Sequence, residues 1–226
     1  MSGYVFFSIG LSICAWMLAL WLNKKFKHEV FNPLVIATIV IIAVIYSLNI
    51  DYKDYKSGGD FIAFFLGPST VVLAVPLYKQ VGLVKKYFKA IIIGIVAGSL
   101  TAILTVVALS KIMFLSQTLE MSIIPRSITT PIGIELSKSL NGIPSITVVA
   151  IILSGIIGML CCDVIFKLFG INNPVAKGVA IGTSSHALGT TKALKKGEIE
   201  GSMSGLSIAI AGIVTSIIVA VGSFFI

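Results

Sequence analysis

The feature that most limits the fold is a series of long uncharged segments separated by short polar loops. Neither Ala90–Leu109 nor Ser204–Phe225 contains a charged side chain, and each has the length of about 20 apolar residues that a bilayer span needs. Charged residues make up 12% of the 226-residue chain, about half the roughly 25% that soluble domains carry. The sequence therefore predicts an integral membrane protein that spans the lipid bilayer with helices.

Counting such segments predicts the fold class: an all-α, polytopic transmembrane helical bundle of about eight membrane elements, folded as a single integral membrane domain. Several elements contain proline, glycine or hydroxyl side chains near their centres, so we expect interrupted helices. The expected elements are residues 4–22, 33–48, 61–77, 90–109, 112–137 (interrupted), 143–166, 175–194 and 204–225.

The lysines indicate how the chain is oriented. Ten of the 17 basic residues lie in three short segments, at 24–27, 79–89 and 192–196, and lysine-rich loops favour the cytoplasmic side of a membrane. Eight full crossings put all three clusters on that side, whereas a re-entrant 112–137 segment moves the last cluster outside. The charge bias favours a full crossing and leaves re-entry open. Nucleic-acid binding is not expected, because the sequence has no soluble face on which basic residues alternate with aromatic ones.

Three membrane segments combine helix breakers with polar side chains: Gly67–Pro76, Pro125–Glu135 and Gly182–Thr191. Irregular backbone at membrane depth is tolerated only inside protein or beside a water-filled cavity, and broken helices form the midplane sites of many transporters. We expect helix interruption at Pro68, Pro125 and Pro131.

Arg126, the only arginine in the chain, suggests an anion site because a guanidinium binds a carboxylate with two parallel hydrogen bonds. Nearby hydroxyls supply further donors to a small carboxylate. Alternatively, Arg126 is a structural cation that pairs with Glu120 or Glu135 or reaches the interface. The candidate substrate-binding residues are Arg126, Ser127, Thr129, Thr130, Ser69, Thr70, Ser184 and Ser185.

Two titratable residues are candidates for coupling or gating. The imidazole of His186 titrates near neutral pH and suits proton coupling, although a packing histidine is an alternative. Glu135 either carries a proton or neutralises charge at a helix end. A Ser127–His186 pair lacks the Gly-x-Ser-x-Gly context of a hydrolase, so no enzyme activity is expected. No Cys or His spacing predicts a metal or cofactor site.

Four stretches of the sequence resemble the LrgB/CidB family of bacterial membrane proteins, in order and over nearly the whole chain. They are FLGPSTVVLAVPLYK at 65–79, IPRSITTPIGIELS at 124–137, GIPSITVVAIILSGIIG at 142–158 and KGVAIGTSSHALGTTKALKKGEIEGSMSGLS at 177–207. The last stretch is the most specific of the four.

This resemblance implies two kinds of function. Members are described as holin- or antiholin-like proteins that modulate murein hydrolase activity and autolysis together with a smaller LrgA/CidA-type membrane partner. Other relatives are similar to pyruvate transporters, and a plant plastid relative moves glycolate and glycerate. A transporter of small monocarboxylates is the favoured interpretation, because a simple holin has no need for three interrupted segments. The alternative is a holin-like structural protein that acts through membrane oligomers, and homo-oligomers remain open.

Overall fold

The structure is a computed structural model that describes residues 2–26, 33–65, 68 and 78–222. The chain divides into two compact units, Met1–Val72 and Leu73–Ile226. All regular secondary structure in the described residues is helical, as the sequence predicts. Its helices are α1 (Ser2–Phe26), α2 (Pro33–Ser47), α3 (Tyr52–Ala63), α4 (Val81–Ile112), α5 (Gln117–Ile123), a 3-10 turn (Ile124–Ser127), α6 (Thr130–Ser139), α7 (Pro144–Leu168), α8 (Pro174–Lys196) and α9 (Glu198–Gly222).

The first unit packs α2 and α3 against α1. Small side chains on α1 allow this, and Ala15, Ala19 and Ala37 form its buried cluster. Helix α3 includes residues 52–60, which lie between the expected elements 33–48 and 61–77. Gly58 is buried, and a Cβ there would lie 2.6 Å from the Cβ of Ser8, so the glycine permits close helix packing.

Four described helices are long and apolar enough to cross a membrane: Tyr4–Phe26, Val81–Ile112, Pro144–Leu168 and Glu198–Gly222. Three of them, α4, α7 and α9, belong to the second unit. The lysine-bearing residues before position 90 were expected to form a loop, but α4 already begins at Val81 and contains one non-helical residue, Tyr87. Lysine stems lie readily along a helix that extends beyond the bilayer core.

The segment Gln117–Ser139, called the first hairpin below, reverses direction at the 3-10 turn. Thr147 of α7 donates to the backbone carbonyl of Ser122, and its oxygen lies 2.7 Å from the Ser137 hydroxyl. The Ile143 N–H also donates to Ser122 at 2.7 Å. The end of α5 and the end of α6 therefore both lie beside the start of α7. The two helices run antiparallel, which is the arrangement of the re-entrant alternative rather than of the full crossing that the charge bias favours.

Thr147→Val tests how firmly the first hairpin is held. The change keeps the side-chain shape but leaves the buried Ser122 carbonyl and Ser137 hydroxyl without their shared partner. We expect the free energy of unfolding to fall by about 1–3 kcal/mol, read as a lower melting temperature in detergent. Thr191→Val is the matched control, because Thr191 is exposed and bonds only to its own helix. Equal melting temperatures for the two variants would contradict the prediction.

Helix α8 also reverses, and is called the second hairpin below. A Cβ on Gly189 would lie 2.6 Å from Ile181 Cγ2, although residues eight apart in a straight helix are separated by about 12 Å. The reversal occurs at His186, whose backbone has φ 39° and ψ −135°. The arm before His186 runs parallel to α9, and the arm after it runs back to Glu198.

The two hairpins enter the second unit from opposite ends and meet halfway along α7. Ser154 donates to the Arg126 carbonyl at 2.7 Å, and Gly155 contacts the His186 ring. Ser154 is ten residues after Pro144, or about 15 Å along the helix axis. Each hairpin is followed by a long helix, which gives two hairpin–helix pairs of opposite orientation, an arrangement that transporters share.

This arrangement explains how two of the three lysine clusters come to lie on the same side. The first hairpin and the second hairpin each return the chain to the end from which it entered. As a result, the lysines at 79–89 and those at 192–196 lie at one end of the second unit, called the lysine-rich end below. A single re-entrant segment would separate these two clusters, whereas two re-entrant segments reunite them.

Candidate functional site

A cavity of about 660 Å³ lies within the second unit, in the size range of about 300–1,000 Å³ that is typical of ligand sites. One wall is the α4 face that carries Gly94, Gly98, Thr101 and Thr105. The opposite wall is the first arm of the second hairpin, from Asn173 to Ser184. The tip of the first hairpin closes the deep end. The cavity therefore leads from the lysine-rich end to the meeting point of the hairpins.

Arg126 is half-buried and lines the deep end of this cavity. Its backbone is held by Ser154, but its guanidinium makes no ion pair with any residue that the structure describes. Glu135 pairs instead with Lys138 at 2.7 Å. An unpaired cation in a mostly apolar cavity is costly without a counter-charge. The position therefore favours an anionic ligand.

Besides Thr101 and Thr105 of α4, three hydroxyl-bearing residues line the cavity: Ser127, Thr183 and Ser184. Thr183 and Ser184 donate to the carbonyls of Val179 and Ala180, at 2.8 and 2.7 Å. The Ser184 hydroxyl also lies 3.1 Å from the Ser185 hydroxyl. The sequence did not single out Thr183, but its neighbours Ser184 and Ser185 were expected at the site.

The structure separates the other expected hydroxyls from this cavity. Thr129 and Thr130 lie at the start of α6, outside the cavity lining. Ser185 is fully buried behind the cavity, against Gly158 of α7. Ser69 and Thr70 lie outside the described residues.

The expected helix breakers lie at different kinds of position. Pro125 is buried at the start of the 3-10 turn, and Pro131 is in the first turn of α6, where a missing N–H costs little. Both therefore flank the reversal of the first hairpin. Pro68 is exposed.

His186 occupies the tip of the second hairpin in a backbone conformation that only a few per cent of non-glycine residues adopt. Its side chain is 3% exposed, and the backbones of Arg126 and Ile151 face the imidazole. Nε2 has no hydrogen-bond partner among the described residues, although buried polar atoms are nearly always paired. Backbone strain and an unpaired nitrogen together favour the interpretation of His186 as a functional residue over that of a packing histidine.

Glu135 is placed differently from His186. Its side chain is 72% exposed in its pair with Lys138, and it lies outside the cavity lining. The two coupling candidates from the sequence are thus not brought together.

Two features escaped sequence analysis. Gly94, Gly98, Thr101 and Thr105 form one stripe at helical spacing, but only Gly94-xxx-Gly98 attracted notice as a helix-packing pattern. Asp163, inside an otherwise apolar run, pairs with Lys192 at 2.9 Å and also with Lys196. This ion-pair group attaches the second arm of the second hairpin to α7 at the lysine-rich end. A lone carboxylate in an apolar segment was the available signal.

The chain is similar to known proteins over nearly its whole length. A family model described as the LrgB-like family matches residues 12–224. A Bacillus subtilis protein named Antiholin-like protein LrgB is 37% identical over 217 residues, covering 96% of this chain and 94% of the relative. A protein of the same name from Bacillus cereus is 35% identical over 215 residues, covering 95% and 94%. No solved structure matches the chain.

Proposed function

The chain belongs to the LrgB-like family of multi-pass membrane proteins, and from the geometry of its cavity we propose that it transports small monocarboxylates of the pyruvate or glycolate type. Arg126 donates to the carboxylate, and the hydroxyls of Ser127, Thr183 and Ser184 donate to the remaining substrate oxygens, the last two after they leave the carbonyls of Val179 and Ala180. The protein is placed in the bacterial cytoplasmic membrane with its lysine-rich end in the cytoplasm.

The single observation that supports this proposal most is the unpaired guanidinium at the deep end of a cavity where two hairpin tips meet. A purely structural arginine would be expected to have a carboxylate partner, and the described glutamates nearby are not paired with it. Two hairpins of opposite orientation also provide the pseudo-symmetric frame with which transporters alternate access.

Uptake of labelled pyruvate into proteoliposomes tests the proposal. Purified protein is expected to give saturable uptake that unlabelled glycolate inhibits and that a cation such as choline does not. Protein-free liposomes are the baseline, and the measurement is repeated with the small LrgA/CidA-type membrane protein present. If neither preparation moves pyruvate or glycolate above the baseline, the transport proposal is wrong.

Of the two coupling candidates, we propose His186 as the proton carrier, because it alone lies between the hairpin tips. The backbone of Arg126 faces the imidazole, so an anion bound by the Arg126 side chain is held by a residue next to the ring and changes the electrostatics that the imidazole experiences. A proton taken up with the substrate would then be released as the tips separate.

His186→Asn separates proton coupling from binding. Asparagine tolerates a positive φ but carries no titratable group. We expect an imposed proton gradient to drive little pyruvate accumulation in this variant, while exchange of labelled for unlabelled pyruvate continues. Glu135→Gln is the matched control and keeps both activities. Undiminished gradient-driven accumulation by His186→Asn would exclude this role.

The relatives are named antiholin-like, and this name supports a second candidate function, an antiholin-like one, more directly than it supports transport. For this candidate we propose regulation of murein hydrolase activity through membrane oligomers. The two functions are compatible if carboxylate flux alters autolysis. Autolysis rates in cells carrying wild-type protein or Arg126→Gln discriminate between them. Unchanged control of autolysis by a transport-deficient variant would show that regulation does not depend on transport.

A further inference from the structure

A second cavity, of about 410 Å³, lies at the end of the second unit opposite the lysine-rich end. Its walls come from α4, the outer part of the first hairpin and the end of α9. The deep part is apolar and includes Met121, Ile124 and Val219, whereas Gln117, Thr118 and Asn141 supply uncharged polar groups.

The 3-10 turn of the first hairpin contacts both cavities. Ile124, its first residue, lines the second cavity, while Arg126 and Ser127 line the first. Because a 3-10 helix has three residues per turn, positions 124 and 126 point in different directions. Helix α4 separates the cavities in the same way, with Thr101 and Thr105 in one and Ile103 and Val107 in the other.

An apolar cluster closes the second cavity. Val106, Met121, Ile124 and Val219 are all buried and in mutual contact. A wall of this kind excludes an ion because a charge cannot be desolvated there without a partner. This apolar cluster therefore separates an anion bound at Arg126 from the second cavity. Ile124, the cluster residue nearest to Arg126 in the chain, is only two residues away from it.

We propose that the second cavity is the outer vestibule of the transport path and that Ile124 is its gate. This inference rests on the proposed transport function and adds the route by which the anion leaves. Movement of the 3-10 turn away from Val106 joins the vestibule to the Arg126 site. The first cavity extends from Arg126 toward the lysine-rich end, where Tyr87 and Asn173 line it.

Thiol accessibility along α4 tests the two cavities without requiring transport. In a variant with Cys14, Cys161 and Cys162 replaced by serine, single cysteines are introduced as Thr101→Cys, Val107→Cys and Leu104→Cys. A small charged methanethiosulfonate is added to one side of oriented vesicles. Thr101→Cys should react from the lysine-rich side and Val107→Cys from the other side. Leu104 lines neither cavity, and its side chain is 62% exposed on the surface of a candidate membrane span. Because lipid covers that surface and a charged reagent does not enter lipid, Leu104→Cys should remain unreactive.

Opening the gate gives the second part of the test. Adding Ile124→Ala to Thr101→Cys should increase its reaction from the outer side at least tenfold, and Val106→Ala is the milder second variant. Ile95→Ala removes an equally buried side chain from the core at the lysine-rich end and should not change the side of reaction.

The outcomes separate the two proposals. An unreactive Val107→Cys, or a Thr101→Cys that neither gate variant exposes to the outer side, overturns the gate. Correct two-sided labelling in a protein that moves no carboxylate supports the path and overturns only its proposed substrate.

Discussion

Arg126→Gln is expected to weaken carboxylate binding and uptake at half-saturating substrate by at least about tenfold. The variant keeps a hydrogen-bond donor but loses the charge, and its side chain is shorter by two bonds. Hydrogen bonds to charged groups contribute about 1.5–3 kcal/mol, and each 1.4 kcal/mol corresponds to about a tenfold change in affinity. The measurement is the concentration dependence of labelled pyruvate uptake in proteoliposomes.

Lys138→Gln is the matched control for this experiment. Lys138 lies on the same hairpin, is exposed, and pairs with Glu135 rather than lining the cavity. Its loss should leave half-saturation unchanged, since exposed ion pairs contribute little. Normal half-saturation in Arg126→Gln would remove Arg126 from the site, although transport through other residues would remain tenable.

Gly155→Ala is expected to produce the second large effect, a loss of about 1–3 kcal/mol in the free energy of unfolding. An added Cβ would lie 2.6 Å from His186 Cε1 and 2.9 Å from Leu188 Cδ1. The ring is buried and the backbone at His186 is already strained, so neither side of the contact yields easily. Thermal unfolding in detergent measures the loss, and uptake should fall with it because the second hairpin tip is displaced.

Gly205→Ala on α9 makes the opposite prediction from the same chemical change. No heavy atom lies within 4 Å of a Cβ at Gly205, so the methyl group meets open space. Helical Gly→Ala at such a position stabilises by about 0.5–1 kcal/mol. If both variants shift the melting temperature in the same direction, the contacts of residue 155 with His186 and Leu188 do not determine the effect of Gly155→Ala.

Hydropathy predicted the long helices well because their burial in lipid depends on composition alone. The expected segments 33–48 and 143–166 end within two residues of α2 and α7. Arg126 was predicted to need explanation because it is the only arginine in the chain, and the structure puts it in the lining of the first cavity.

Sequence analysis left the first reversal open and did not predict the second, because hydropathy does not record direction. A 23-residue hairpin such as Pro174–Lys196 has the length of a crossing helix, and its turn at His186 contains neither proline nor glycine. The backbone angles of His186 and the contacts of Gly189 with Ile181 and of Thr190 with Ser204 reveal it. The ion pair between Lys192 and Asp163 depends on that reversal, so the sequence did not predict it either.

The pairing of the hairpins has a consequence for topology mapping by reporter fusion. Each hairpin that is mistaken for a crossing inverts the inferred side of everything after it, and a second such mistake restores it. A reporter fused at the end of α9 therefore gives the same answer for both topologies. Only fusions between Asn141 and Asn173, where the parity of the count differs, distinguish them.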